Sequence, residues 1–221
     1  KPGGKEEVKM LSRPRIISKV MRLRQRAFVE DKELAKSAEV LGSLKERSDR
    51  FAEACEVITS LLSNERTTFS GEYYELVDAP AEPKPVQDRI PLMIGGGGEQ
   101  RTLRTVARWA DEWNGWGPPA HVEHKVEVLT RRCEEIGRDV AEIRKSACGF
   151  LRIYDDEHES ARAREHLGPR GGLVGTPDEL KATIEAYRSA GVDELVVPDF
   201  GSTLEARMPV FERFTREVFD G

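Results

Sequence analysis

Ile90-Pro91-Leu92-Met93-Ile94-Gly95-Gly96-Gly97-Gly98-Glu99-Gln100-Arg101-Thr102 is the stretch that decides the fold. A short apolar run ends in four consecutive glycines, and a helical pattern starts directly behind them. A residue without a Cβ lets backbone N–H groups approach a ligand closely, and the helix N-terminus that follows carries partial positive charge. Strand, glycine turn and helix together form a cradle for an anion, most often a phosphate. A plain tight turn is the other reading, and the glycines alone do not separate the two.

Downstream the same rhythm repeats. After the strand at Leu92–Ile94 and a helix over Arg101–Trp109, Ala110–Trp116 reads as a second strand closed by Gly117-Pro118-Pro119. A helix over about residues 121–136 stops at Gly137. Ser146–Tyr154 reads as a third strand and residues 157–166 as a helix. The glycine-rich stretch Gly168–Gly175 reads as a loop, and Thr176-Pro177 has the chemistry of a helix start. That helix runs to Ala190-Gly191, residues 194–198 form a fourth strand, and Met208–Phe219 a closing helix. Alternating strands and helices specify parallel βα units, so the fold class is α/β.

Upstream the pattern changes. Ser43, with Glu46 three residues later, has the form of a capping box. The helix behind it carries Leu44, Phe51, Ala54, Cys55, Ile58, Leu61 and Leu62 at helical spacing. Residues 67–77 suggest a small extended segment or a hairpin, and the four prolines at 80, 83, 85 and 91 keep the next stretch extended. Residues 1–40 read as a basic, helical leader, separate from a domain over 41–221.

Charge and composition narrow the partners. Residues 1–47 hold 13 Lys and Arg against 7 Asp and Glu, while the remainder holds 22 against 33. The leader lacks interleaved aromatics for base stacking, and the acidic body repels phosphate backbones, so no nucleic-acid partner is expected. No apolar run approaches the roughly 18 residues of a membrane helix. The start has no signal-peptide core, and Cys55, Cys133 and Cys148 stand far apart without a CxxC pair. A reducing cytoplasm is therefore the expected home, with neither a disulfide framework nor a zinc site.

Several motifs in order resemble one family. Phe69-Ser70-Gly71-Glu72-Tyr73-Tyr74, Pro83-Lys84-Pro85-Val86-Gln87, residues 90–98 and Ala110-Asp111-Glu112-Trp113-Asn114 resemble the bacterial luciferase-like flavin or deazaflavin oxidoreductases. Gly175-Thr176-Pro177-Asp178-Glu179 and Ala190-Gly191-Val192-Asp193-Glu194 resemble the C-terminal part of the same family. The four-glycine form followed by Glu-x-Arg-Thr-Leu is most similar to the branch that uses coenzyme F420, with flavin mononucleotide as the alternative cofactor.

The resemblance implies a (β/α)8 barrel that binds its cofactor at the C-terminal strand ends. It implies that Gly95, Gly96, Gly97 and Gly98 hold the cofactor phosphate, with Glu99, Arg101 and Thr102 at the helix start behind them. Arg101 either adds charge there or is an ordinary exposed helical arginine. Trp113, Asn114 and Trp116 would lie near the mouth of a pocket for a small-molecule substrate, and packing between barrel and helices is the other reading for both tryptophans. Thr176 reads as a helix cap and Arg170 as a solvated loop residue.

The resemblance covers the second half of the family pattern: about four C-terminal βα units preceded by helices. The first four strands, which carry the family's histidine contacts, have no counterpart, so the catalytic residues are unknown. The expectation is a partial barrel that forms a homo-oligomer or needs the missing N-terminal half. His121 and His124 lie one helical turn apart but lack a third ligand, and no metal is expected. Asp155, Asp156 and Glu157 sit at a predicted strand end, where barrel enzymes place acids and bases, and a solvated turn at a helix N-terminus is the other reading of their charge.

Overall fold

The computed structural model describes residues 44–87, 89–198 and 203–219. The chain divides into two units, Lys1–Arg50 and Phe51–Gly221. The basic, helical leader read over residues 1–40 and the Ser43 cap fall outside the described residues. Helix α1, Leu44–Ser63, opens in the first unit and continues into the second. Its buried side chains in the second unit are Cys55 and Val57, whereas Phe51 and Ile58 of the expected stripe are exposed.

Strands β1, Arg66–Ser70, and β2, Glu75–Pro80, form the expected antiparallel hairpin. The Gly-Glu-Tyr-Tyr motif proves to be its turn. The Glu53 carboxylate of α1 accepts from the backbone N–H groups of Glu72, Tyr73 and Tyr74 at 3.1, 2.9 and 2.7 Å. A Cβ at Gly71 would collide with that carboxylate, which explains the glycine. The Pro-Lys-Pro motif has a similar role: Lys84 Nζ donates to the carbonyls of Leu61 and Asn64 and closes the end of α1.

The central sheet has four parallel strands, β3 (Met93–Gly95), β4 (Glu112–Trp116), β5 (Arg144–Cys148) and β8 (Glu194–Val196), in that order. Helices α2, Thr102–Trp109, and α3, Pro119–Glu134, follow β3 and β4. The core cluster contains Leu103 and Val106 of α2, Trp113 of β4, and Val122 and Leu129 of α3, all 0% exposed. Burial of each such aliphatic side chain contributes about 1.5–3 kcal/mol. Helix α3 ends where the sequence places its stop: Gly137 has φ +70°, and Arg138 N–H reaches back to the Cys133 carbonyl. Arg138 then donates to the carbonyls of Ala107 and Ala110 and closes α2 as well.

The third strand departs from expectation. It breaks after Cys148, and residues 151–153 leave the sheet as β6, Leu151–Ile153. Helix α4, Glu157–Leu167, then leads to β7, Leu173–Gly175, which pairs in parallel with β6. The expected loop at 168–175 therefore contains a buried strand. The break falls at Gly149, where a Cβ would stand 3.1 Å from Gly172 Cα, so two backbones cross there in contact. Periodicity cannot show such a crossing.

Helix α5, Pro177–Ser189, starts with the anticipated cap: Thr176 and Glu179 form a capping box. Asp193 bonds Lys145 through both its backbone and its carboxylate and so sets β8 against β5. Helix α6, Leu204–Phe214, begins four residues earlier than Met208 because Thr203 caps it through Ala206 N–H. Pro209 consequently lies inside the helix, and the final turn, Thr215–Phe219, is a π-turn. Among the described residues, no helix is long and apolar enough to cross a membrane.

Candidate functional site

The C-terminal ends of β3, β4 and β5 bring together the residues singled out from the sequence. Gly95 ends β3, and Gly96 N–H donates to the Asn114 carbonyl of β4 at 3.1 Å. Gly96 has φ +123°, a conformation that a side chain strains, and a Cβ there would press on Thr102 Cγ2 at 3.3 Å. A Cβ on Gly98 would stand 2.8 Å from Thr102 Oγ1. Thr102 thus lies close against two of the glycines and explains both.

Behind that turn the chain enters α2. Leu103 N–H reaches the Gly98 carbonyl at 2.9 Å. Among the described residues, no acceptor is placed on the N–H groups of Gly97, Gly98, Glu99 or Gln100. These groups lie in a half-buried to exposed loop at the positive end of α2. Arg101 is exposed and occupies the N-cap position without a side-chain cap bond.

Glu99, at the end of the glycine run, is ion-paired to α3. Its Oε1 lies 2.5 Å from Lys125 Nζ and 3.0 Å from His124 Nε2, both on α3. Its carbonyl accepts from Arg132 Nε at 3.3 Å. The Lys125 ammonium, and after it His124, holds the Glu99 carboxyl below its ordinary range. This ion-paired carboxylate fastens the glycine loop to α3.

Strand register explains the other three candidates. Trp113 and Gly115 are buried on one face of β4, while Asn114 and Trp116 lie on the other. Trp113 is 0% exposed, so its ring belongs to the core rather than to an open pocket wall. Its indole N–H donates to the Gly96 carbonyl at 2.7 Å and braces the glycine turn. Asn114 pairs in register with Ser146 and donates to its hydroxyl at 2.9 Å. Trp116 reaches the rim, 36% exposed, and meets the Phe150 ring edge-to-face at 5.9 Å between centroids.

Lys125, Ser146 and Phe150 were not singled out from the sequence. Lys125 is one of many helical charges, Ser146 one polar residue in a strand, and Phe150 an apolar residue in what read as strand interior. Register and the break at Gly149 give them their places.

The rim is held from below by Tyr187, which is 1% exposed. Its hydroxyl donates to the carbonyl of Gly117 at 2.6 Å and lies 3.3 Å from that of Gly172. Burial pushes the phenol's pKa up. Glu179 stabilises the β7–α5 turn. One of its oxygens accepts from Thr176 N–H at 2.8 Å and from the Ser160 hydroxyl at 2.7 Å, and the other from Arg164 at 2.8 Å. The Arg164 guanidinium is the main reason that this carboxyl is lowered to about 2.

The acidic run at 155–157 is structural: Asp155 pairs with Arg213, and Asp156 caps α4. Arg170 is exposed, and its carbonyl accepts from Phe150 N–H.

A family model described as luciferase-like monooxygenase matches residues 30–170, more than half of the chain. An F420-dependent glucose-6-phosphate dehydrogenase from Segniliparus rotundus is 26% identical over 203 residues, covering 76% of this chain and 60% of that protein. An F420-dependent secondary alcohol dehydrogenase in complex with an F420–acetone adduct superposes with a TM-score of 0.64 at 18% identity, over 80% of this chain and 63% of that one. A coenzyme F420-dependent tetrahydromethanopterin reductase from Methanopyrus kandleri superposes with a TM-score of 0.61 at 20% identity, over 79% and 63%. The chain thus spans 60–63% of the length of these relatives. Its parallel βα units have the fold of part of such a barrel.

Proposed function

The chain belongs to the luciferase-like monooxygenase family, and on that premise we propose that it carries the phosphate-holding part of an F420-dependent oxidoreductase. The observation that carries the reading is the Gly95–Gly98 loop, whose next four N–H groups from Gly97 onward have no acceptor among the described residues. A phosphate set against them would accept from several backbone donors at a helix N-terminus. The cradle also fits by exclusion of bulk, since side chains at positions 96 and 98 would press on Thr102.

F420, when bound, supplies a hydride carrier at C5 of its deazaflavin ring. The protein's part is to place and shelter it. Trp113 and Asn114 fix the Gly96 turn through its carbonyl and N–H, so the donors are set before the cofactor arrives. The Asn114–Ser146 bond holds the neighbouring strand end in place. Trp116 and Phe150 form an apolar corner at the rim, suited to excluding water beside a planar ring or a small organic substrate.

A fluorescence titration of the purified chain with F420 and, separately, with flavin mononucleotide tests the assignment. Saturable binding of F420 alone is the expected result; preferential binding of flavin mononucleotide, with oxygen consumption on reduction, replaces it with a flavin monooxygenase. Binding of neither by the folded chain rejects both. A second reading rests on a separate observation: β3 and β8 are the sheet's two edges and have no further strand partner among the described residues. Open edges favour assembly with another chain. A mass that rises with concentration in light scattering, without cofactor binding, identifies a non-catalytic half-barrel.

A further inference from the structure

We propose that Lys125 is the side-chain cation of the phosphate cradle and that Glu99 holds it in reserve until the anion arrives. The inference rests on the assignment of Gly95–Gly98 to a cofactor phosphate. Lys125 reaches the loop from α3, and its stem runs alongside Gly97. Its Cε lies 3.4 Å, and its Cδ 3.8 Å, from the point a Cβ on Gly97 would occupy. The ammonium is one bond beyond Cε and is only partly accessible, the side chain being 13% exposed. A glycine at 97 therefore leaves the lysine stem room to lie along the loop that carries those N–H groups.

The charge arrangement supports a reserve role rather than a passive ion pair. A bare, desolvated ammonium beside the positive end of α2 is unfavourable, and the Glu99 carboxylate neutralises it at 2.5 Å. An ammonium has three donors, so it can keep Glu99 while turning another proton to a phosphate oxygen. His124 shares the same Glu99 oxygen at 3.0 Å, and Arg132 holds the Glu99 carbonyl. The carboxylate thus stays anchored when Lys125 shifts. Two elements that are separate in sequence, the β3–α2 loop and α3, become one binding unit.

The test compares F420 with the phosphate-free deazaflavin–ribityl chromophore on wild type, Lys125→Met, Lys125→Arg, Glu99→Gln and Gly96→Val, with circular dichroism as the folding check. Lys125→Met is expected to weaken F420 binding by roughly tenfold or more and to flatten its salt dependence. Binding of the phosphate-free chromophore stays as in wild type, Lys125→Arg largely restores F420 affinity, and Glu99→Gln tightens F420 by a few-fold through loss of a nearby negative charge. If Lys125→Met binds F420 like wild type while Gly96→Val is impaired, the lysine assignment falls and the cradle stands. If Lys125→Met weakens both compounds equally, the residue serves the fold alone and the proposal is overturned. If wild type holds F420 no more tightly than the phosphate-free chromophore, or holds neither, the cradle falls and the lysine with it.

Discussion

Replacing Glu179 with Gln removes one charge from a turn that supports the rim and leaves most of its hydrogen-bonding shape intact. In the folded chain the Glu179 carboxyl is lowered from the ordinary value of 4.5 to about 2, chiefly by the Arg164 guanidinium. A displacement of that size corresponds to roughly 3 kcal/mol. Water reaches a side chain that is 28% exposed, and screening brings the expected effect to about 2 kcal/mol. The sign follows from the lowered value: the stabilisation is fully present above pH 4.5 and is lost as pH falls toward 2. Urea unfolding, followed by tryptophan fluorescence, should therefore show Glu179→Gln less stable than wild type by about 2 kcal/mol near neutral pH. The gap should close progressively as the acid limb is entered. A gap of the same size at both ends of the pH range would refute the ionisation argument, and so would no gap at neutrality.

Gly96→Val should weaken F420 binding at least tenfold, roughly, by straining a backbone at positive φ and crowding Thr102; unchanged affinity in a titration removes the cradle. Tyr187→Phe leaves the Gly117 and Gly172 carbonyls without their buried donor and should lower stability by about 1–3 kcal/mol, read as an earlier thermal midpoint. Glu53→Gln should speed hydrogen exchange at the amides of Glu72, Tyr73 and Tyr74 while leaving the β4 amides unchanged; equal protection in both proteins means that the turn closes without the carboxylate.

Helix caps and the alternation of strand and helix were legible where local chemistry decides them. The Thr176–Glu179 capping box and the Gly137 stop lie where the sequence places them, because a cap needs only its own few residues. The same holds for the strand–glycine–helix succession at 93–109. What the chain could not show from its own pattern depends on contacts across space. Trp113 is hidden by the face of β4 it occupies and by the helices over it. The break at Gly149 exists because the Gly172 backbone passes beside it. Glu99 reads as a loop acid next to glycines, and only the packing of α3 turns it into a partner for Lys125 and His124. The resemblance pointed to the glycine loop with Glu99, Arg101 and Thr102 behind it, but not to Lys125 or Ser146, which reach their places from α3 and β5.

Among the described residues, β6 and β7 pair in parallel with each other and with no strand of the central sheet. The chain between Gly149 and Gly175 is an excursion from that sheet, tied to the rest of the fold by glycine backbones, the Tyr187 hydroxyl, the bonds of Ser160 and Arg164 to Glu179, the Asp155–Arg213 pair and the burial of Leu173 in the core. The β5–β8 register is set outside that excursion, by the bonds between Asp193 and Lys145. Phe150, and with it one wall of the rim, travels with this excursion, whereas the glycine loop and Lys125 do not. The glycine loop and the Phe150 wall thus lie on separate pieces of chain, and exchange of the excursion should alter the apolar corner with Trp116 while leaving the contacts between Gly96, Gly98 and Thr102 in place.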